Sequence, residues 1–164
     1  MTLAEQVQVA RNKCYRLLAL RPRTEYELRS RLHESGYPAR VTDRVLADLK
    51  EKGLINDALF ARDWVSWRLC SKPVGKAYLR AELRHKGVER SIIENTLADY
   101  DDESEMEKAL ALARKRLARK GDGPALRRLA GFLARRGFSS HVVTKVLRLL
   151  ADEGRIDGDR VDIS

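Results

Sequence analysis

Leucines four apart, followed four places later by a glycine and then an apolar residue, mark this chain three times. The string Leu28-x3-Leu32-x3-Gly36-Tyr37 returns as Leu79-x3-Leu83-x3-Gly87-Val88 and as Leu129-x3-Leu133-x3-Gly137-Phe138, at offsets of 51 and 50 residues. The register continues downstream, with Val41, Ile92 and Val142 five residues after each glycine, and Leu46, Leu97 and Leu147 ten residues after it. Thirteen residues after it stand Leu49, Tyr100 and Leu150. Apolar residues four apart lie on one face of a helix. A glycine at its end takes the left-handed backbone that closes the helix without a Cβ clash. The pattern therefore predicts a helix, a glycine turn and a second helix, repeated in tandem.

Start signals complete each unit. Thr24-x-x-Glu27, Ser91-x-x-Glu94 and Ser104-x-x-Glu107 have the spacing of capping boxes, and Asp57 is placed to cap the helix that opens the second copy. Pro22, Pro38, Pro73 and Pro124 fall at junctions or first turns, where a missing N–H is tolerated. Of the glycines only Gly131 falls inside a helix, where it marks a candidate close helix crossing. The resulting expectation is nine helices near 5–20, 24–35, 39–52, 57–70, 75–86, 91–100, 104–120, 124–136 and 140–152, in three three-helix repeats at 9–55, 56–103 and 104–154. No stretch alternates as a strand would, so the class is all-α, arranged as an elongated or curved array. Residues 155–164 are acidic and aperiodic, and are expected to form a mobile tail.

Charge changes the picture most. The 164 residues carry 33 Lys and Arg against 24 Asp and Glu, a formal net charge of +9. Residues 101–150 hold 12 basic and 6 acidic residues, whereas the last 14 residues hold 2 and 5. A basic body points to a polyanionic partner, with a solvated surface as the alternative. On the helix near 75–86, Lys76, Arg80 and Arg84 stand at i, i+4 and i+8 and form one flank. Arg29 keeps part of that stripe in the first repeat, where the matching residues are Glu25, Arg29 and His33. The third repeat has Leu126, Ala130 and Ala134 there, and instead places Arg128 and Arg135 on an outward face, behind the run Arg114, Lys115, Arg116, Arg119 and Lys120. These six residues, Arg29, Lys76, Arg80, Arg84, Arg128 and Arg135, are the candidate contacts for a partner or DNA.

The residues argue against chemistry of the chain's own. His33, His85 and His141 are scattered singly, and no nucleophile with its base, metal-ligand cluster or phosphate-cradling loop is legible. Gly121-Asp122-Gly123-Pro124 lacks the Gly-Lys-Ser/Thr of a P-loop and is explained as a turn. The acidic run Asp101, Asp102, Glu103, Glu105 and Glu107 abuts a helix start, where its charge suits the helix dipole better than a cation. Trp64 is expected in the core, with Trp67 less well determined. Cys14 and Cys70 sit in apolar helical stretches and are expected as buried free thiols. No run approaches the ~20 apolar residues of a membrane span. The opening Met-Thr-Leu-Ala-Glu-Gln-Val lacks a secretory pattern, so the expected compartment is the cytoplasm. Neither a cofactor nor a small-molecule substrate is implied.

Three stretches give the chain a family likeness. Arg21-Pro22-Arg23-Thr24-Glu25-Tyr26-Glu27-Leu28, Gly53-Leu54-Ile55-Asn56-Asp57-Ala58-Leu59-Phe60-Ala61 and Gly75-x3-Leu79-x3-Leu83-x3-Gly87-Val88 resemble the RecX family of bacterial recombinase regulators over about residues 10–150. The resemblance implies three tandem three-helix repeats that bind the RecA filament on single-stranded DNA. It implies lodging in the filament groove, limiting its growth, and damping strand exchange, ATP hydrolysis and co-protease activity, within DNA repair, recombination and the SOS response. Direct DNA contact is a further implication. Two other readings stand beside it: a stand-alone nucleic-acid-binding protein, since three-helix units resemble helix-turn-helix modules, and a protein scaffold whose charge serves solubility.

Overall fold

A computed structural model describes residues 1–119 and 126–154. Among these residues there are nine helices and no strand: α1 (Leu3–Leu20), α2 (Glu25–Glu34), α3 (Ala39–Glu51), α4 (Asp57–Ser71), α5 (Lys76–His85), α6 (Arg90–Leu97), α7 (Asp102–Arg119), α8 (Leu126–Arg135) and α9 (Ser140–Asp152). The acidic segment 155–164, the turn Gly121-Asp122-Gly123-Pro124 and Lys120 lie outside the described residues, as does the Leu126 side chain.

The repeat leucines do what their spacing implies. Leu28, Leu32, Leu79, Leu83, Leu129 and Leu133 are completely buried, as are Leu49, Leu147 and Leu150. Burying one such side chain contributes about 1.5–3 kcal/mol. The described residues divide into two compact units, residues 1–64 with 83–96 and residues 65–82 with those from 97 on. In the first, α1 and α2 pack on α3 around Ala10, Cys14, Leu28, Leu32, Val45 and Leu49. In the second, α7 and α8 pack on α9 around Ala109, Ala113, Leu133, Val146, Leu147 and Leu150. Helices α4 and α5 each contribute residues to both units.

Gly36, Gly87 and Gly137 have φ of 84°, 80° and 84°, the left-handed backbone expected of them. The next residue in each case donates its N–H back to the second repeat leucine: Tyr37 to Leu32 at 3.2 Å, Val88 to Leu83 at 3.0 Å and Phe138 to Leu133 at 3.2 Å. This closure is the Schellman pattern.

These turns also receive helices. In the first unit, the Thr24 hydroxyl accepts the Glu27 N–H at 3.2 Å and donates to the Lys86 carbonyl at 2.6 Å, while Tyr26 rests on Gly87. In the second, the Gly75 N–H donates to the Arg136 carbonyl at 2.7 Å, while Tyr78 rests on Gly137. Thr24 and Gly75 occupy the same place, twelve residues before their own turn glycine. A hydroxyl makes the join in one repeat and a backbone N–H makes it in the other.

Several sequence expectations need correction. Thr24 forms its capping box, but Ser91 lies inside α6 with its hydroxyl on Glu89, and Ser104 lies inside α7 with its N–H on Asp101 at 2.8 Å. Asn56, not Asp57, caps α4, its side-chain oxygen accepting the Leu59 N–H at 3.0 Å. Asp57 instead accepts the Glu25 N–H at 3.0 Å, and burial pushes its carboxyl pKa up. Helix α1 begins at Leu3 because Thr2 and Glu5 make a capping box. Gly131 marks no helix crossing; a Cβ there would meet only the Arg135 guanidinium. Backbone meets backbone closely at Gly75, where a Cβ would stand 2.2 Å from the Gly137 oxygen. Cys14 is buried, with its thiol pushed up to about 11 by that burial, but Cys70 is exposed, and both are free.

Candidate partner-binding surfaces

Five basic residues of the first repeat are paired within it, while Arg16, Arg31, Arg40 and Arg44 are exposed. Arg11 contacts Asp48 at 3.1 Å, Lys50 contacts Glu25 at 2.6 Å and Lys52 contacts Asp48 at 3.2 Å. Arg21 pairs with Glu27, whose pKa lies below the ordinary carboxylate value: burial would raise it, but the Arg21 hydrogen bond and charge outweigh that. Arg29, the candidate contact of this repeat, is held by Asp43 at 2.6 Å and Glu25 at 3.4 Å, and the Asp43 bond raises its pKa. It lines a cleft of about 450 Å³ with Glu25, Lys50 and Asp57, in which cations and anions face one another. Opposed charge of this kind favours no anionic ligand.

The α5 stripe is only partly presented. Lys76 is half-buried, and its backbone N–H donates to Glu105 at 3.2 Å. Arg80 is half-buried and engaged by another group. Arg84 is exposed. Lys76 and Arg80 belong to the second unit and Arg84 to the first.

The third repeat is different. Among its described residues the ion pair is Arg114 with Glu153, at 2.5 Å. Lys115, Arg119, Arg127, Arg128 and Arg135 are exposed. Arg116 and Arg136 lie over the Phe132 ring at 4.2 and 5.2 Å, which turns two more guanidinium groups toward the same helices. The structure thus places Arg128 and Arg135 on an open basic surface and Arg29 inside a neutralised network.

The tryptophans divide. Trp64 is half-buried, stacked on Phe60 at 6.3 Å with the Lys86 ammonium 4.3 Å from its ring centre. Trp67 is 54% exposed. The histidines are all exposed, and among the described residues no three His, Cys, Asp or Glu are grouped to hold a metal ion. Two residues of the acidic run serve the fold: Asp101 caps α7, and Glu105, 4% exposed, receives the Lys76 N–H. Among the described residues no helix is long and apolar enough to cross a membrane.

Comparison with known proteins agrees with this architecture domain by domain. Residues 10–49 match the first three-helix domain of RecX, residues 56–97 the second and residues 102–147 the third. The chain belongs to the RecX family. Regulatory protein RecX of Mycolicibacterium smegmatis is 42% identical over 152 residues, 88% of this chain and 81% of the relative. That of Amycolatopsis mediterranei is 39% identical over 147 residues, 88% and 84% of the two chains. A crystal structure of regulatory protein RecX superimposes with a TM-score of 0.76 at 28% identity, covering 88% of this chain and 72% of the other. RecX from Lactobacillus salivarius shares the fold, with a TM-score of 0.79 at 23% identity over 90% and 97% of the chains. A regulatory protein of the RecX family is therefore what the three repeats compose.

Proposed function

We propose that this chain is a non-catalytic negative regulator of RecA that binds the RecA filament on single-stranded DNA. It occupies the filament groove and limits extension, strand exchange, ATP hydrolysis and co-protease activity. The observation that carries this reading is the match of all three RecX domains, in order, along residues 10–147. The open basic surface supports it physically, because a nucleoprotein filament carries regularly spaced phosphates that exposed Arg and Lys attract. We assign the contacts to Lys76, Arg80 and Arg84 on α5 and to Arg128 and Arg135 on α8, with Arg29 in a supporting position. Cytoplasmic residence follows from that partner, and the domain limits 9–55, 56–103 and 104–154 remain our division of the chain.

A stand-alone nucleic-acid binder is the second reading, favoured by the exposed cations of the third repeat. Affinity for bare single-stranded DNA and for a preformed RecA filament, each measured over a salt series, separates the two. The regulator binds the filament more tightly than the DNA at every salt concentration, and both affinities fall as salt screens the charges. Equal affinity for the two would favour the second reading.

A further inference from the structure

Near the junction of α4 and α5 three groups gather that the regulator reading does not use. The Arg68 guanidinium lies 5.9 Å from the Trp67 ring centre and 5.2 Å from that of Tyr78. It is fixed there by Glu82, whose two carboxylate oxygens stand 2.9 and 3.2 Å from Nε. Tyr78 is fixed in turn, since its Cβ rests on the Gly137 turn. Both residues are nevertheless exposed, Trp67 at 54% and Tyr78 at 37%. One exposed aromatic is ordinary on a protein surface. Two, drawn to one immobilised guanidinium, form a platform with little conformational freedom left to lose on binding.

We infer that Trp67 and Tyr78, gathered around Arg68, form a stacking surface for the unpaired bases of a single-stranded nucleic acid. Every base presents a π-face, so aromatic rings and a guanidinium plane accept bases without regard to sequence. The surroundings supply the charge for the intervening phosphates. Glu82 cancels Arg68, but Lys72 follows one helical turn after it and is exposed. Exposed Arg135 and half-buried Arg136 immediately precede the turn on which Tyr78 rests. An apolar protein partner would favour aromatics without this cationic margin, which is why the occupant is taken to be nucleic acid. The inference deepens the direct DNA contact of the reading above, but requires nothing of RecA.

The test uses the whole chain, without RecA, at low salt, with a short oligothymidylate and with inorganic polyphosphate as a base-free polyanion. Oligothymidylate should quench tryptophan emission of the wild-type protein, and that quenching should be lost in Trp67→Phe. Trp67→Ala should bind oligothymidylate roughly 5- to 100-fold more weakly, the range for loss of one stacked base, with polyphosphate binding unchanged. Tyr78→Ala, which keeps the Cβ on Gly137, should show a smaller loss of the same kind. Circular dichroism melts confirm that each variant is folded. The inference is overturned if Trp67→Ala binds oligothymidylate like the wild type, or if it loses both polyanions equally. A variant that keeps its DNA affinity but loses binding to the RecA filament would likewise overturn it, in favour of a protein occupant. Because the primary assay contains no RecA, its failure would leave the regulator reading standing.

Discussion

The first and third repeats share a helix–glycine–helix frame yet pair different shares of their basic residues. In the first, Arg11, Arg21, Arg29, Lys50 and Lys52 are answered by carboxylates of the same repeat, while Arg16, Arg31, Arg40 and Arg44 are exposed. In the third, Arg114 meets Glu153 while Arg119, Arg128 and Arg135 stand exposed. Exposed ion pairs contribute at most about 1 kcal/mol each, so the first network is chiefly a way of settling charge locally. The third repeat leaves a larger share of its charge exposed. The comparison teaches that a common fold fixes where basic residues stand, but that neighbouring acids decide which of them can serve a partner.

The same contrast extends to the glycine turns and yields the largest expected effect. Gly87 and Gly137 are covered, so that a Cβ would meet Tyr26 at 2.1 Å and Tyr78 at 2.5 Å, whereas a Cβ on Gly36 would meet nothing within 4 Å. Gly36→Ala therefore pays only for left-handed backbone, about 1–2 kcal/mol. Gly87→Ala and Gly137→Ala add overpacking and should cost about 3–5 kcal/mol. Urea denaturation of the three variants checks this order. Equal losses would show that the join between helix start and turn contributes nothing.

A smaller effect tests the charges themselves. Reversing Arg128 and Arg135 to Glu should weaken binding to single-stranded DNA by roughly tenfold or more at low salt and flatten the salt dependence, with the melting temperature unchanged. Arg29→Glu should do the reverse, since it places a third carboxylate beside Asp43 and Glu25. Its melting temperature should drop while DNA affinity changes by less than about twofold. If Arg29→Glu matched the double reversal in binding, the division between the repeats would not hold.

The smallest effect concerns acid. The folded-state pKa of Glu27 lies below its unfolded value, so its ionised form stabilises the fold above the ordinary carboxylate pKa of 4.5. That stability is lost as pH falls through the lowered folded value. With Glu27→Gln, denaturation midpoints between pH 6 and pH 3 should decline less steeply than in the wild type, by on the order of 1 kcal/mol or less. An unchanged slope would remove Glu27 from the account of acid sensitivity.

Much of the fold was legible in the sequence because it rests on local, periodic rules. Leucines four apart, turn glycines and the Thr24 capping box are encoded within a few residues of where they act. The failures were of two kinds. At Ser104 and Asp57 the capping pattern was present, but a nearer residue, Asp101 or Asn56, held the start of the helix, and at Ser91 the hydroxyl turned to Glu89 instead. At Arg29 the answer lay fourteen residues away in Asp43, and helical spacing alone could not register that pairing. Gly75 is a third lesson. It looked like a helix boundary, and only the Gly137 carbonyl, 2.2 Å from where a Cβ would stand, shows why no side chain fits there. The platform around Arg68 was half visible, since Trp67 stood out, but Tyr78 and Glu82 join it only through the folding of α5 against α4.

The central claim, that this RecX-family chain regulates RecA through charge its own fold leaves unanswered, meets its most direct test in RecA-driven ATP hydrolysis on single-stranded DNA. Purified wild-type protein should lower the steady-state rate at near-stoichiometric ratios to RecA, Arg29→Glu should do so nearly as well at a temperature where it is folded, and the Arg128→Glu, Arg135→Glu variant should need several-fold more protein. A rate unaffected by the wild-type protein at saturating ratios would contradict the regulator reading. Inhibition by the double reversal at wild-type concentrations would contradict the assignment of its surface.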